Sequence, residues 1–195
     1  MRFLQHERLL GQAFRCPGVE PVLLMWGVPV PNNSTEGWAL REKIIAISND
    51  LRERPTHRTE PDVVLNFGEG GIVIVEAKLL SPNDFKKEDY SGWPKYLNDA
   101  TFRDPNCARA IGCYQLVRNW RIGSDLAGER PFTLVNLGLE FTCDETRELA
   151  RLWLSFRTST RRRFVVRYWN TLLSVATIPT WLSAYARRRA IPLAK

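Results

Sequence analysis

The sequence predicts an α/β fold, a mixed central sheet flanked by helices. Three observations predict it. Two runs rich in β-branched residues, 61–67 and 72–79, flank Gly68-Glu69-Gly70-Gly71, a strong hairpin signal. Both runs are apolar on both faces, as strands covered on each side are. Before them, Leu40, Ile44, Ile47 and Leu51 recur at the spacing of one buried helix face. After them, a helix signal over 106–122 leads into the apolar run 131–139, the helical crossover of an α/β sheet. At 195 residues and 44% hydrophobic composition, the chain is expected to form a single domain with a full core.

In chain order, Met1-Arg2-Phe3-Leu4-Gln5-His6-Glu7 lacks a long apolar stretch, so no secretion signal is expected. The segment 21–29 reads as an extra edge strand, limited by Pro21 and Pro29. The first helix begins at Asn33-Ser34-Thr35-Glu36. Glu36 extends the apolar stripe by one turn and so points toward the sheet. It reads equally as the third residue of a capping box whose N-cap is Asn33. Glu42 sits on the flank and reads as a solvated acid. Residues 54–60 are polar and contain Pro55, so no clear strand is expected there, and Glu60 reads as a loop acid.

Residues 81–104 show no period. They carry Asp84, Lys86, Lys87, Glu88, Asp89, Lys95 and Arg103 with Tyr90, Trp93 and Tyr96. Long irregular segments in compact domains are often functional. The lysines and aromatics could grip a nucleic-acid backbone and stack on bases, or the aromatics could tuck into the core beneath a solvated loop. The next helix, between Pro105 and Gly123, puts Ile111, Gln115, Arg118 and Ile122 on one face, with Tyr114 beside them. Past the strand at 131–139, helices are expected over 144–156, 161–175 and 180–189.

The chemistry concentrates on the hairpin. Asp62 opens the first strand, and Glu76 and Lys78 close the second. Glu76 and Lys78 share a face, roughly 7 Å apart along the strand. Register decides whether Asp62 joins them, because a slip of one residue sends it to the other face. An odd connection of three or five residues puts Asp62 opposite Glu76. Charges in so apolar a setting need partners, either a metal or each other. Asp62, Glu76 and the Ala77 backbone carbonyl form an oxygen donor set suited to Mg²⁺, with Mn²⁺ as a substitute. Lys78 could orient or deprotonate an attacking water, or stabilise developing charge.

Pro61-Asp62 followed by Glu76-Ala77-Lys78 resembles the signature of the PD-(D/E)xK nuclease superfamily, the restriction-endonuclease-like fold. The resemblance spans residues 33–139. It implies an α-β-β-β-α-β core, Mg²⁺-dependent hydrolysis of DNA phosphodiester bonds, and catalytic Asp62, Glu76 and Lys78. The family often draws a further Glu from the preceding helix, for which Glu36 is the candidate. It often draws Gln, Tyr or Arg from the following one, here Gln115 and Arg118 with Tyr114 as the alternative. The strand that the family places between its first helix and the Asp is short or lost in this chain. Restriction, defence, mobile-element movement and repair all use this chemistry. A nuclease-like DNA-binding or assembly module that does not cut by itself is the alternative.

Net charge is +7, and from Thr142 onward eleven basic residues face three acids, so the preceding part carries −1. The excess lies in Arg161-Arg162-Arg163, Arg167 and Arg187-Arg188-Arg189, and suggests an anionic partner. Lys86, Lys87, Arg118 and Arg161–Arg163 are therefore the expected DNA contacts. Residues 142–195 read as a basic helical extension on a nuclease-like core at 33–139. Segment 168–186 is uncharged but too polar, and too interrupted by Pro179, for a membrane span. Cys16, Cys107, Cys113 and Cys143 show no zinc spacing and read as reduced thiols of a cytoplasmic protein. Besides DNA, a homodimer or a partner protein is expected, since cutting both strands commonly needs two sites.

Overall fold

A computed structural model of the chain describes residues 19–78, 83, 85–138 and 143–169, apart from the side chains of His57 and Cys143. A six-stranded mixed sheet forms the centre, in the order β2-β1-β3-β4-β5-β6. The strands are β1 Val22–Met25, β2 Val28–Val30, β3 Val63–Asn66, β4 Ile72–Lys78, β5 Phe132–Gly138 and β6 Arg162–Tyr168. β1 through β4 pair antiparallel, whereas β4, β5 and β6 run parallel.

The segment expected as a single edge strand is a hairpin. Trp26 and Gly27 both take positive φ, 47° and 70°, which lets a two-residue turn follow the twist of the strands. β1 is not the edge. It pairs with β3 on one side and with β2 on the other, so Pro29 falls on the outer strand, where its missing N–H costs no ladder bond. Residues 54–60 form no strand, only a 3-10 turn at Pro55–His57. β1, arriving from before the helix, fills the place beside β3.

Helix α1 (Thr35–Asp50) is capped by Ser34, whose Oγ accepts from the Gly37 N–H at 3.0 Å. The expected box of Asn33 and Glu36 does not form. Starting one residue later puts Glu36 at the second helical position and Gly37 at the third. The buried stripe is Gly37, Leu40, Ile44 and Ser48. Gly37 permits the close approach to β2, since a Cβ there would sit 2.5 Å from Pro29.

The β3–β4 connection is odd, as the spacing requires. Asn66 pairs with Ile72, the Phe67 N–H donates to the Gly71 carbonyl at 2.9 Å, and Gly68–Gly70 makes a 3-10 turn between them. Gly71 holds φ 112°, and a Cβ there would meet the Pro131 carbonyl oxygen at 2.3 Å. Gly71→Ala is therefore expected to cost about 1–3 kcal/mol of backbone strain. Urea unfolding would show this as a lower midpoint at unchanged slope.

One helix was expected over 106–122, and two form. α2 (Trp93–Tyr96) is a single turn, after which α3 (Pro105–Ile111) starts on an Asp104 cap and stops at Gly112 in the left-handed conformation. α4 (Tyr114–Ala127) then runs past Gly123 to Gly128. The break is held from outside: the Lys86 N–H donates to the Gly112 carbonyl, and Phe85 bridges to Cys113. Gly123 does not end the helix because it lies against Phe132 and Ile74, where only a glycine lets α4 approach the sheet.

α5 (Cys143–Ser155) matches the first helix expected after 142. Residues 162–168, expected as helix, are β6. Phe164-Val165-Val166 favours extended backbone, and the open edge of β5 supplies the partner. Residues 143–168 thus complete the sheet and do not form a purely helical extension. The helix expected over 180–189, with Arg187-Arg188-Arg189, lies outside the described residues, as does the apolar stretch beyond Trp169. Among the described residues no helix is long and apolar enough to cross a membrane.

The described helices pack on one face of the sheet. Leu24, Val64, Ile72, Ile74, Phe132, Leu134 and Phe164 meet Leu40 and Ile44 of α1, Trp120 of α4 and Leu152 of α5 there. The other face carries Leu23, Leu65, Phe67, Val73, Val75, Val135 and Leu137, with Trp169 against them.

Candidate active site

Along β4 the helix-covered face is apolar at Ile72 and Ile74, then turns polar at Glu76 and Lys78. Side chains two apart on a strand share a face, so the apolar face ends in an acid and a base. Both are buried, at 4% and 9% exposure, and they pair with each other, Lys78 Nζ to Glu76 Oε1 at 2.7 Å.

α4 crosses above them. Gln115 Oε1 accepts from Lys78 Nζ at 2.5 Å, and Asn119 Nδ2 donates to Glu76 Oε2 at 2.8 Å. Gln115 and Asn119 are one turn apart on the helix and so reach two alternate residues of one strand.

Asp62 precedes Val63, whose partner is Val75, and so lies across from Glu76. It is half-buried. Its Oδ2 accepts from the Ala77 N–H at 2.7 Å, and its Oδ1 accepts from Trp26 Nε1 at 3.1 Å. The Trp26 backbone N–H also donates to the Asp62 carbonyl at 3.0 Å. Trp26 is a non-glycine residue at positive φ, a conformation that persists only where the surroundings impose it. The two-residue turn between β1 and β2 imposes it, and these two hydrogen bonds hold the turn against Asp62.

The structure therefore brings together Glu76, Lys78 and Gln115, with Asp62 bonded to the backbone of Ala77 between the first two. Glu36 is not on the buried stripe. It is exposed on the first turn of α1, with its Oε2 3.5 Å from Ser34 Oγ. Arg118 stands 5.7 Å over the Tyr114 ring. Its Nε is buried with no hydrogen-bond partner among the described residues. Lys87 is exposed, and Lys86 is half-exposed with its backbone holding Gly112.

Arg161–Arg163 lie elsewhere. Arg162 pairs with Phe132, and Phe132 with Ile72, at the opposite end of the sheet from Lys78. Six residues of strand make that about 20 Å. Arg161 and Arg162 donate to the carbonyls of Glu129 and Gly128, tying β6 to the turn before β5. They do not line the site.

Sequence reasoning missed Trp26, Asn119 and Asn136. Asn136 pairs with Glu76 across β4 and β5, is fully buried, and has no hydrogen-bond partner for either amide atom among the described residues. Asn119 could have been found one turn after Gln115, and Asn136 as the lone amide in an apolar strand. Nothing local signals Trp26, because its contact depends on β1 lying beside β3.

Tyr114, the alternative to Gln115, is a core residue. Tyr90, Trp93 and Tyr96 meet its ring edge-on at 4.9, 5.2 and 5.5 Å. Burial pushes its phenol up to about 12 from the ordinary 10. Burial also raises Tyr96 and carries the Cys113 thiol up to about 12. A raised folded-state value favours the neutral form. The stabilisation is complete below about pH 10 and is lost as pH rises through about 12. Urea unfolding across that window should show falling stability, and Tyr114→Phe should flatten the fall.

The donor chemistry fits a hard divalent cation. Each carboxylate oxygen of Asp62 and Glu76 accepts one hydrogen bond and keeps a further lone pair. Among the described residues no group of three or more His, Cys, Asp and Glu gathers. Mg²⁺ does not need one, since it is bound by one or two carboxylates together with water and phosphate oxygens. Comparison of the chain with protein-family models, with curated proteins and with solved structures found no match, so the site's own chemistry must carry the reading.

Proposed function

We propose that this chain is a Mg²⁺-dependent nuclease of the restriction-endonuclease-like fold that hydrolyses DNA phosphodiester bonds, as an endonuclease. One observation carries the reading: Asp62, just before β3, bonds through its carboxylate to the Ala77 N–H, between Glu76 and Lys78, which pair with each other while Gln115 meets Lys78. A fold stabilised only by apolar packing has no need of two carboxylates and an ammonium at one end of its central strands.

Asp62, Glu76 and the Ala77 carbonyl would hold the ion, which supplies an activated water and offsets charge on the phosphate. Lys78 orients the attacking water or stabilises the charge that develops on the phosphate oxygens. Gln115 fixes the Lys78 ammonium, and Asn119 fixes the Glu76 carboxylate. Trp26 and the Ala77 N–H hold Asp62 in one orientation. In the family pattern the strand beside the Asp follows the first helix. Here β1 takes that place and delivers Trp26 with it.

A second reading has its own support. All four carboxylate oxygens of Asp62 and Glu76 already meet protein donors. Such a network can be complete in itself, as in a DNA-binding or assembly module that does not cut. Incubating linear, circular and single-stranded DNA with Mg²⁺, beside Asp62→Ala and Lys78→Ala, separates the two. Cleavage by wild type alone supports the nuclease. Binding without cleavage supports the module, and cleavage that survives both substitutions removes the site.

A further inference from the structure

We infer that the cleft beside Pro61 binds a phosphate monoester at a nucleic-acid strand end, an inference that rests on the nuclease reading and extends it. The cleft has a volume of about 170 Å³ and lies between α1, β1 and the segment that leads into β3. Leu24, Ile44 and Val64 line it with apolar surface, while Arg41, Arg58 and Ser48 bring polar groups to it.

Its position ties it to the catalytic end of the sheet. Gly27 and Pro61 also line it. They are the chain neighbours of Trp26 and Asp62, which hydrogen-bond to each other. Adjacent Cα atoms are about 3.8 Å apart, so the cleft lies one residue from both partners of that bond.

Its polar groups await an acceptor. Ser48 is 1% exposed, and its Oγ has no hydrogen-bond partner among the described residues. Arg58 gives one nitrogen to Asn49 Oδ1 at 2.9 Å, yet its buried Nε has no partner among the described residues. Buried donors left unmade cost free energy, and a small shift of the Arg58 and Ser48 side chains toward the cleft would let an incoming acceptor recover it.

The charges facing the cleft are the guanidinium groups of Arg41 and Arg58 and the exposed carboxylate of Glu60. Arg41 lies 5.3 Å over the Trp38 ring and 3.7 Å from Glu42. Glu42 offsets part of the Arg41 charge, so Arg58 is the cation left to meet an anion, and its guanidinium fork matches phosphate oxygens. A monoester carries about −1.5 to −2 at neutral pH, more than an internal diester. The volume falls below the roughly 300–1,000 Å³ of a drug-sized ligand site, so a terminal phosphate fits and a whole nucleotide does not.

The test is fluorescence anisotropy on duplexes ending in 5′-phosphate, 3′-phosphate or hydroxyl, with Ca²⁺ in place of Mg²⁺. Wild type should bind one phosphorylated end at least about tenfold more tightly than the hydroxyl end. Arg58→Met should erase that preference and leave hydroxyl-end affinity unchanged, and Ser48→Ala should reduce it. Inorganic phosphate should compete only with the phosphorylated end. Thermal unfolding checks each variant, and if Arg58→Met fails to fold, Arg41→Met and Ser48→Ala carry the comparison.

Equal affinity for all ends, or a preference that survives the substitutions, overturns the inference. Should the protein bind no DNA, calorimetry with inorganic phosphate decides: saturable binding lost in Arg58→Met supports the site, and no binding overturns it. The two proposals fail separately. Asp62→Ala should lose cutting and keep the end preference, while a protein that cuts DNA without distinguishing its ends keeps the nuclease and loses the cleft.

Discussion

Asp62→Ala is expected to lower Mg²⁺-dependent DNA cleavage by about three orders of magnitude, with the fold intact. The estimate follows from the role. A divalent ion contributes several kcal/mol of transition-state stabilisation, and each ~1.36 kcal/mol is tenfold in rate. Removing one of two carboxylates that would hold it forfeits most of that. Asp62 is half-buried and begins just before β3, so truncating it removes no core packing. The side chains that orient the carboxylates should matter less. Trp26→Phe and Asn119→Ala each delete one donor to a carboxylate oxygen, and outer partners of this kind are worth about 10–100-fold. Glu69→Gln, on the exposed turn at the far end of the hairpin, should retain the wild-type rate. Single-turnover cleavage of a labelled duplex measures all four. A rate in Asp62→Ala within about tenfold of wild type would remove Asp62 from the chemistry.

The centre of this site was legible because it is local. Two short apolar runs around a glycine-rich turn mark a hairpin, and only an odd connection lets Asp62 share a face with Glu76; the five-residue connection from Asn66 to Ile72 meets that condition. Gln115 was legible from helical spacing, and Asn119 could have been by the same argument. What failed was non-local. β6 carries arginines at both ends and reads as a helix until β5 offers it an edge. The distance of Arg161–Arg163 from Lys78 follows from the same pairing, since a parallel strand brings its start to the far end of the sheet. Trp26 meets Asp62 only because β1 sits beside β3, a placement that no window of sequence contains. Gly112 was a local signal overlooked, a left-handed stop whose meaning depends on the Lys86 segment packed against it.

The buried pair of Glu76 and Lys78 should give the largest effect on stability. Lys78→Met leaves the Glu76 carboxylate, 4% exposed, with Asn119 as its remaining described partner and no compensating charge. Breaking a buried pair from one side costs about 3–5 kcal/mol. Gln115 Oε1 loses its donor in the same substitution. Glu76→Gln should cost a similar amount by stranding the ammonium. The double variant removes both charges and should be more stable than either single one, since the two residues act as a unit. Urea unfolding of the four proteins measures the cycle, and single-variant costs below about 1 kcal/mol would mean that the pair behaves like an exposed one. Repeating the cycle with Mg²⁺ separates the two functional readings. If Asp62 and Glu76 hold a cation, the ion binds the folded state alone and stabilises it by about 2.7 kcal/mol at a hundredfold excess over Kd. The gain should be greatest in Lys78→Met, where an ion replaces the missing positive charge, and should vanish in Glu76→Gln. A network complete without metal predicts no gain in any of the four. Unlike a cleavage assay, this measurement decides the matter even when the right DNA substrate has not been found.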